Sequence, residues 1–173
     1  MVASRPDLKI EALASHHDRD GFACGVDSLD RYLRAQASQD VRRKANGVFI
    51  LIESDKPDVV LGYYTLCATG VTQGDVPAAA RKYIPRYPLV SATLVGRLAV
   101  SEARQGERLG AMLLADAMRR AYASAATVGS SMLVVDVISE RAAAFYEGNG
   151  FVRLPDSLRL VLPMHAIQRL VEP

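Results

Sequence analysis

Cysteine is scarce: Cys24 and Cys67 stand far apart in the chain, and neither shares a metal-ligand spacing with the three histidines. That scarcity argues against a disulfide framework and against zinc, and it fits a reduced, cytoplasmic protein without a metal. Long hydrophobic runs are missing too. None approaches the roughly 18 to 20 residues that span a bilayer, and the charged start MVASRPDLKIEALASHHDRD does not read as a signal peptide, so no membrane partner is expected. Charge of one sign is also in short supply. A net charge of +2 argues against non-specific coating of nucleic acid and leaves room only for local patches. The chain has no internal repeat, low-complexity tract or linker, so residues 1–173 read as a single domain, and with half of them hydrophobic they suffice for a two-layer core.

What is present alternates between strand and helix patterns. Leu8 to Leu13 reads as a short strand with Leu8, Ile10 and Ala12 on one face. The pair His16-His17 reads as surface polarity. A helix is expected from an N-cap at Asp27 towards Lys44, with a break near Ser38. GVFILIES (47–54) and VVLGYYTLCAT (59–69) form a hairpin across Asp55-Lys56-Pro57-Asp58. Cys67 within it is a small buried apolar residue. Pro77 opens a short helix, LVGRLAV (94–100) and SMLVVDVI (131–138) are buried strands, and Ser139 caps a helix closed by glycines. A strand from Phe151, a last strand at 158–163 and a helix from Met164 to Val171 complete a mixed α/β sheet with helices on both faces.

The central stretch is LVGRLAV, then the turn QGERLG (105–110), then AMLLADAMRRAY. Ala111, Leu114, Ala115, Met118, Ala121 and Tyr122 recur at spacings of three and four and predict one buried helix face. A turn that opens such a helix points free backbone N–H groups and the positive dipole end at its ligand, which makes it an anion site.

Four segments in order carry a family resemblance: LVGRLAV, QGERLG with its helix, LVVDV, and AAAFYEGNGF. Together they resemble the GNAT superfamily of acyl-CoA-dependent N-acyltransferases over nearly the whole chain. The resemblance implies a GNAT fold in which the central strands splay, and acetyl-CoA as cofactor. It implies that the backbone of Leu98, Ala99 and Val100 pairs with the pantetheine arm, that Gln105, Gly106, Arg108, Leu109 and Gly110 hold the pyrophosphate, and that Phe145 is a further cofactor-binding residue. Where the family has glycine this chain has Arg108, whose guanidinium could add a contact to phosphate. FACGVDSLDRYL, VVLGYYTL, GRLAV and AAAFYEGNGF further resemble the toxin subfamily of type II toxin-antitoxin systems. That likeness implies acetylation of the α-amine of aminoacyl-tRNA, a block of translation and a ribbon-helix-helix antitoxin as partner. A homodimer stays open.

The implied reaction is attack of an amine on a thioester. An α-amine has a reference pKa of about 8, so a strong base is not required. Tyr146 matches the family tyrosine that gives a proton to the departing sulfur, and a backbone N–H near Leu98 to Val100 would polarise the thioester oxygen. Phe145 also reads as a packing residue, and Asp136 as either an orienting group or a turn residue. Neither cysteine has a histidine at a recognisable spacing, which disfavours a covalent route, and there is no Ser-His-Asp pattern. If tRNA is the acceptor, Arg81, Lys82 and Arg86, and with them Arg42, Arg43 and Lys44, are the basic clusters that would meet its phosphates. Two alternatives stand beside this reading: transfer to a small amine or a protein N-terminus, and a non-catalytic acyl-CoA binder in a repressor complex.

Overall fold

The structure is a computed structural model that describes residues 6–172. Its strands lie in one seven-stranded mixed sheet, ordered β1-β2-β3-β4-β5-β7-β6, and the chain divides into two compact units. The first is Met1–Thr65 with Arg97–Asp116, and the second is Leu66–Gly96 with Ala117–Pro173. β3 (Gly62–Thr72) and β4 (Leu89–Val100) run through both.

In the first unit β1 (Leu8–Ala12) pairs antiparallel with β2 (Gly47–Glu53), from Leu8 opposite Glu53 to Ala12 opposite Phe49. Ile50 and Leu51 are successive residues on opposite faces of β2 and both are fully buried, so this strand is covered on both sides. Helices α1 (Asp27–Ala35) and α2 (Ala37–Arg42) contribute Tyr32, Leu33 and Ala37 to a core with Phe22, Ile50, Tyr63 and Ala99. The helix break falls at Gln36, two residues before the expected Ser38.

Three local expectations need correction. Val26, not Asp27, is the N-cap of α1, because the carboxylate of Asp30 turns back to accept the Cys24 N–H at 2.9 Å and fixes the chain one residue earlier. The alternation in β1 slips at its end: Ala12 is exposed while Leu13, past the strand, packs on the core. His17 is not surface polarity. It is 4 % exposed, its Nδ1 accepts the Ala14 N–H at 3.0 Å and its Nε2 lies 2.9 Å from Glu11.

In the second unit β5 (Met132–Asp136) pairs along its length with antiparallel β7 (Arg159–Pro163), which also holds the short β6 (Val152–Arg153). The parallel ladder of β4 with β5 covers Thr93–Val95 against Leu133–Val135, while β4 itself continues to Val100. The unit's core joins Val90, Ala92, Met132, Val134 and Val161 with Ala80 of the short α3 (Ala78–Arg81). α6 (Met164–Val171) begins at the residue expected, after Pro163. Among the described residues no helix is long and apolar enough to cross a membrane.

Candidate functional site

In the first unit β4 ends at Val100 and a single 3-10 turn, Glu102–Arg104, leads into Gln105-Gly106-Glu107-Arg108 and then α4 (Leu109–Ala125). The Met112 N–H bonds the Arg108 carbonyl at 3.2 Å, which makes Arg108 the helix cap. The N–H groups of Leu109, Gly110 and Ala111 therefore have no acceptor within the helix. Leu109 buries its side chain and offers only its backbone.

Side chains around this turn are drawn away from it. Gln105 Nε2 donates to the carbonyls of Cys24 at 3.1 Å and Val100 at 3.3 Å, so its side-chain amide pins the turn. Arg104 pairs with Glu107 at 2.7 Å and Glu53 at 2.6 Å. The Arg104 hydrogen bond holds the Glu107 carboxyl below its ordinary pKa, and the ion pair offsets a negative charge that would repel an anion. Gly106 has φ +85°, and a Cβ placed there would meet nothing within 4 Å. The turn is thus an open cradle of backbone donors, beside a cavity of about 830 Å³ lined by Asp7, Leu8, Arg104, Glu107, Arg108 and Met112. Arg108 itself has φ +61°. The non-glycine residue occupies the left-handed region that glycine adopts without strain.

The buried stripe of α4 is Leu109, Leu113, Leu114, Ala117, Met118 and Ala121. Leu114, Met118 and Ala121 were expected in it. Ala111 is exposed, and Ala115 and Tyr122 are half-buried. The helix starts at Leu109, so the larger Leu109 and Leu113 set the inward face and rotate Ala111 outwards.

Within the second unit, α5 (Glu140–Glu147) carries Phe145 and Tyr146. Ser139 Oγ accepts the Ala142 N–H at 3.1 Å and caps its start, while Asn149 Nδ2 donates to the Phe145 carbonyl at 2.8 Å at its end. Tyr146 is 7 % exposed and wedged edge-on between Phe145 (ring centroids 5.0 Å apart) and Phe151 (5.4 Å). Burial pushes its phenol up to about 12, and no hydrogen bond to its hydroxyl is found among the described residues. Asp136 gives both carboxylate oxygens to Arg159, at 2.7 and 2.8 Å, which makes it a strand-end ion pair and not an orienting group for Tyr146.

Cys24 is buried and its thiol is raised to about 11, first by desolvation, so it is a poor nucleophile. Cys67 is half-buried. Glu11, His16 and His17 place three donor atoms within 4.8 Å of one another, a cluster invisible in the spacing alone. Nδ1 of His17 accepts a backbone N–H, so its proton sits on Nε2, the atom a metal would need bare, and is given to Glu11. The cluster is a hydrogen-bonded clasp.

Of the basic residues, Arg42, Arg43 and Lys44 are exposed at the end of α2 in the first unit. Arg81, Lys82 and Arg86 are exposed in the second. There Arg81 Nε is tied to the Val76 carbonyl at 2.9 Å, Lys82 Nζ lies 4.9 Å from the ring of Tyr83, and Tyr83 stacks on His165 at 4.3 Å. The Tyr83-His165 pair joins two distant segments, which sequence reading could not anticipate.

Comparison with known proteins agrees with this architecture. Residues 45–153 match the acetyltransferase (GNAT) domain family. The chain is 32 % identical over 155 residues to a tRNA-acetylating toxin of Mycobacterium tuberculosis, covering 89 % of this chain and 90 % of that protein. The solved structure of the toxin AtaT complexed with acetyl-methionyl-tRNAfMet has a TM-score of 0.87 and 32 % identity, covering 95 % of this chain and 99 % of that one. A tyrosine-to-phenylalanine mutant of AtaT, bound to the C-terminus of the antitoxin AtaR and acetyl-CoA, gives a TM-score of 0.81 at 30 % identity, covering 96 % and 99 %. The chain belongs to the GNAT acetyltransferases and, within them, to the family of the tRNA-acetylating toxins.

Proposed function

We propose that the chain works as one GNAT domain that transfers the acetyl group of acetyl-CoA directly to the α-amine of aminoacyl-tRNA, and so blocks translation. The observation that carries the cofactor half is the open turn at Gly106. Free N–H groups at a helix start, with the neighbouring Glu107 carboxylate drawn into an ion pair with Arg104, suit a pyrophosphate. The likeness to tRNA-acetylating proteins supports the acceptor half.

Acetyl-CoA, when bound, supplies an acetyl group activated as a thioester. The backbone N–H groups of Gln105, Gly106 and Leu109 to Ala111 are assigned to its phosphates, and the Arg108 guanidinium to an added charge contact. Leu98, Ala99 and Val100 lie beyond the Thr93–Val95 ladder with β5, and their backbone is assigned to the pantetheine arm and the thioester oxygen. Phe145 packs against Tyr146 and is assigned to the cofactor.

Tyr146 is the general acid. A phenol near 12 holds its proton at any physiological pH. A thiol has a reference pKa of about 8.5, so complete transfer from this phenol runs uphill by about 3.5 pKa units, or about 5 kcal/mol. Tyr146 Oη therefore acts as a hydrogen-bond donor to the leaving sulfur, and full transfer is completed as the attacking amine gives up its own proton. Arg81, Lys82 and Arg86, with Arg42, Arg43 and Lys44, are assigned to tRNA phosphates. A small antitoxin of the ribbon-helix-helix type is the proposed partner.

The decisive experiment incubates the protein with labelled acetyl-CoA and separate aminoacyl-tRNAs. Acetylated aminoacyl ester is the expected product. Label reaching only small amines or protein N-termini would overturn the acceptor assignment.

A further inference from the structure

Arg97 on β4 has surroundings that folding alone does not explain. Its side chain is half-buried, and its guanidinium carbon lies 3.5 Å from the centroid of the Tyr32 ring. Tyr32 is nearly parallel to Tyr63, with centroids 6.3 Å apart and planes at 15°, and Phe22 meets Tyr63 edge-on at 5.7 Å. A column of aromatic rings thus rises from the core of the first unit and ends in a guanidinium. Cation–π attraction fixes the position of that group without using its hydrogen bonds.

The nearby carboxylate of Asp40 feels the Arg97 charge but gives three of its acceptor positions to other donors. It accepts from Tyr32 Oη at 2.8 Å, from Gln36 Nε2 at 2.9 Å and from Asn46 Nδ2 at 3.0 Å. All three donors are neutral, and no hydrogen bond or ion pair joins Asp40 to Arg97 among the described residues. The guanidinium carries five N–H donors in a rigid fork, and none finds an acceptor among the described residues. An anchored, half-buried and unspent fork suits an incoming group with two anionic oxygens.

The chemistry of the acceptor decides which group. An aminoacyl ester has no carboxylate of its own, because the ester linkage consumes it. The anion closest to the reacting amine is the phosphodiester on the 5′ side of the terminal nucleoside. Arg97 directly precedes Leu98, whose backbone is assigned to the acyl donor. We infer that Arg97 is a substrate-binding residue that grips this phosphodiester in bidentate fashion and so positions the aminoacyl ribose, with Tyr32 and Asp40 as positioning residues behind it. This inference rests on the aminoacyl-tRNA reading above.

The test compares the full-length protein with Arg97→Gln and Arg97→Lys on two minimal acceptors: an aminoacyl ester of adenosine, and the same ester carrying a 5′-phosphate. Thermal melting and acetyl-CoA affinity of the variants establish that they are folded. Wild type should prefer the phosphorylated acceptor about 10- to 100-fold in kcat/KM, mostly through KM. Arg97→Gln should erase the preference while matching wild type on the unphosphorylated ester, and Arg97→Lys should keep part of it. An intact preference in Arg97→Gln overturns the inference, as does an equal loss on both acceptors, which would mark a structural role. Unchanged kinetics with weakened binding of an antitoxin peptide would assign the fork to a protein carboxylate and overturn it as well. If wild type acetylates no aminoacyl ester, the functional reading itself fails, and binding of a short RNA ending in 3′-CCA then decides. A roughly tenfold weaker affinity in Arg97→Gln upholds the phosphate contact, and equal affinity removes it.

Discussion

The turn before α4 and the helix that carries Tyr146 equip their chemistry in opposite ways. At the turn the proposed working groups are backbone N–H donors, and the side chains are led elsewhere: Gln105 to two carbonyls, Arg104 to Glu107 and Glu53, Leu109 into the core. On α5 the proposed working group is one phenol, held by two edge-on aromatic neighbours on a helix capped at both ends. A backbone site tolerates changes of residue so long as φ and ψ survive, which is how arginine can stand at a position with φ +61°. A side-chain site tolerates almost none.

The sharpest break of that contrast is Tyr146→Phe. Removing the hydroxyl should lower kcat by about 10²- to 10⁴-fold, the usual worth of a positioned proton donor, while acetyl-CoA affinity measured by calorimetry stays within about twofold. Wild-type turnover in the variant would leave the phenol a packing residue. At the turn, Gly106→Val forces a β-branched residue into φ +85°, where the cost is conformational and not steric, since the space is open. The expected result is the mirror image. Acetyl-CoA affinity drops about tenfold or more, and kcat at saturating acetyl-CoA is largely retained.

These two sites were not equally legible in the sequence. QGERLG stood out because a strand, a glycine turn and a helix follow in order, whereas Tyr146 was singled out only by its match to the tyrosine of the family that AAAFYEGNGF resembles. The direction of Gln105 was hidden, since its carbonyl partner at Cys24 is 81 residues away. The role of Asp136 was equally hidden, because Arg159 comes from a strand that only the sheet order brings alongside. The α4 face was misread by one step at its start because Ala111, small and apolar, fits either side of a helix and carries little directional information. His17 was misread because a histidine that accepts from a backbone N–H leaves no spacing signal. Local chemistry was readable, and partners separated by tens of residues were not.

A pH profile sharpens the comparison further. The raised pKa of Tyr146 means that its proton-bearing form is fully present below about 11 and is lost only as pH climbs through about 12. As the proposed acid, Tyr146 therefore contributes no falling limb between pH 6 and 10. The rate should instead rise as the acceptor amine deprotonates, about tenfold per pH unit below its pKa, and level off above about 8. A fall beginning at pH 8 to 9 in kcat/KM for aminoacyl-tRNA would point to an acid other than this buried phenol.

The smallest expected effect separates the two possible roles of Arg108. A non-glycine residue in the left-handed region costs about 1 to 2 kcal/mol, and glycine returns part of that gain through the greater freedom of the unfolded chain. Arg108→Gly should therefore raise stability by up to about 1 kcal/mol in denaturant melts. Its effect on acetyl-CoA is the informative half. A guanidinium that contacts phosphate gives an affinity that falls several-fold on substitution and most clearly at low salt, because screening weakens such contacts. A guanidinium that is merely accommodated leaves affinity unchanged at every ionic strength. In that case the turn binds by its backbone alone, and the contrast with Tyr146 is complete.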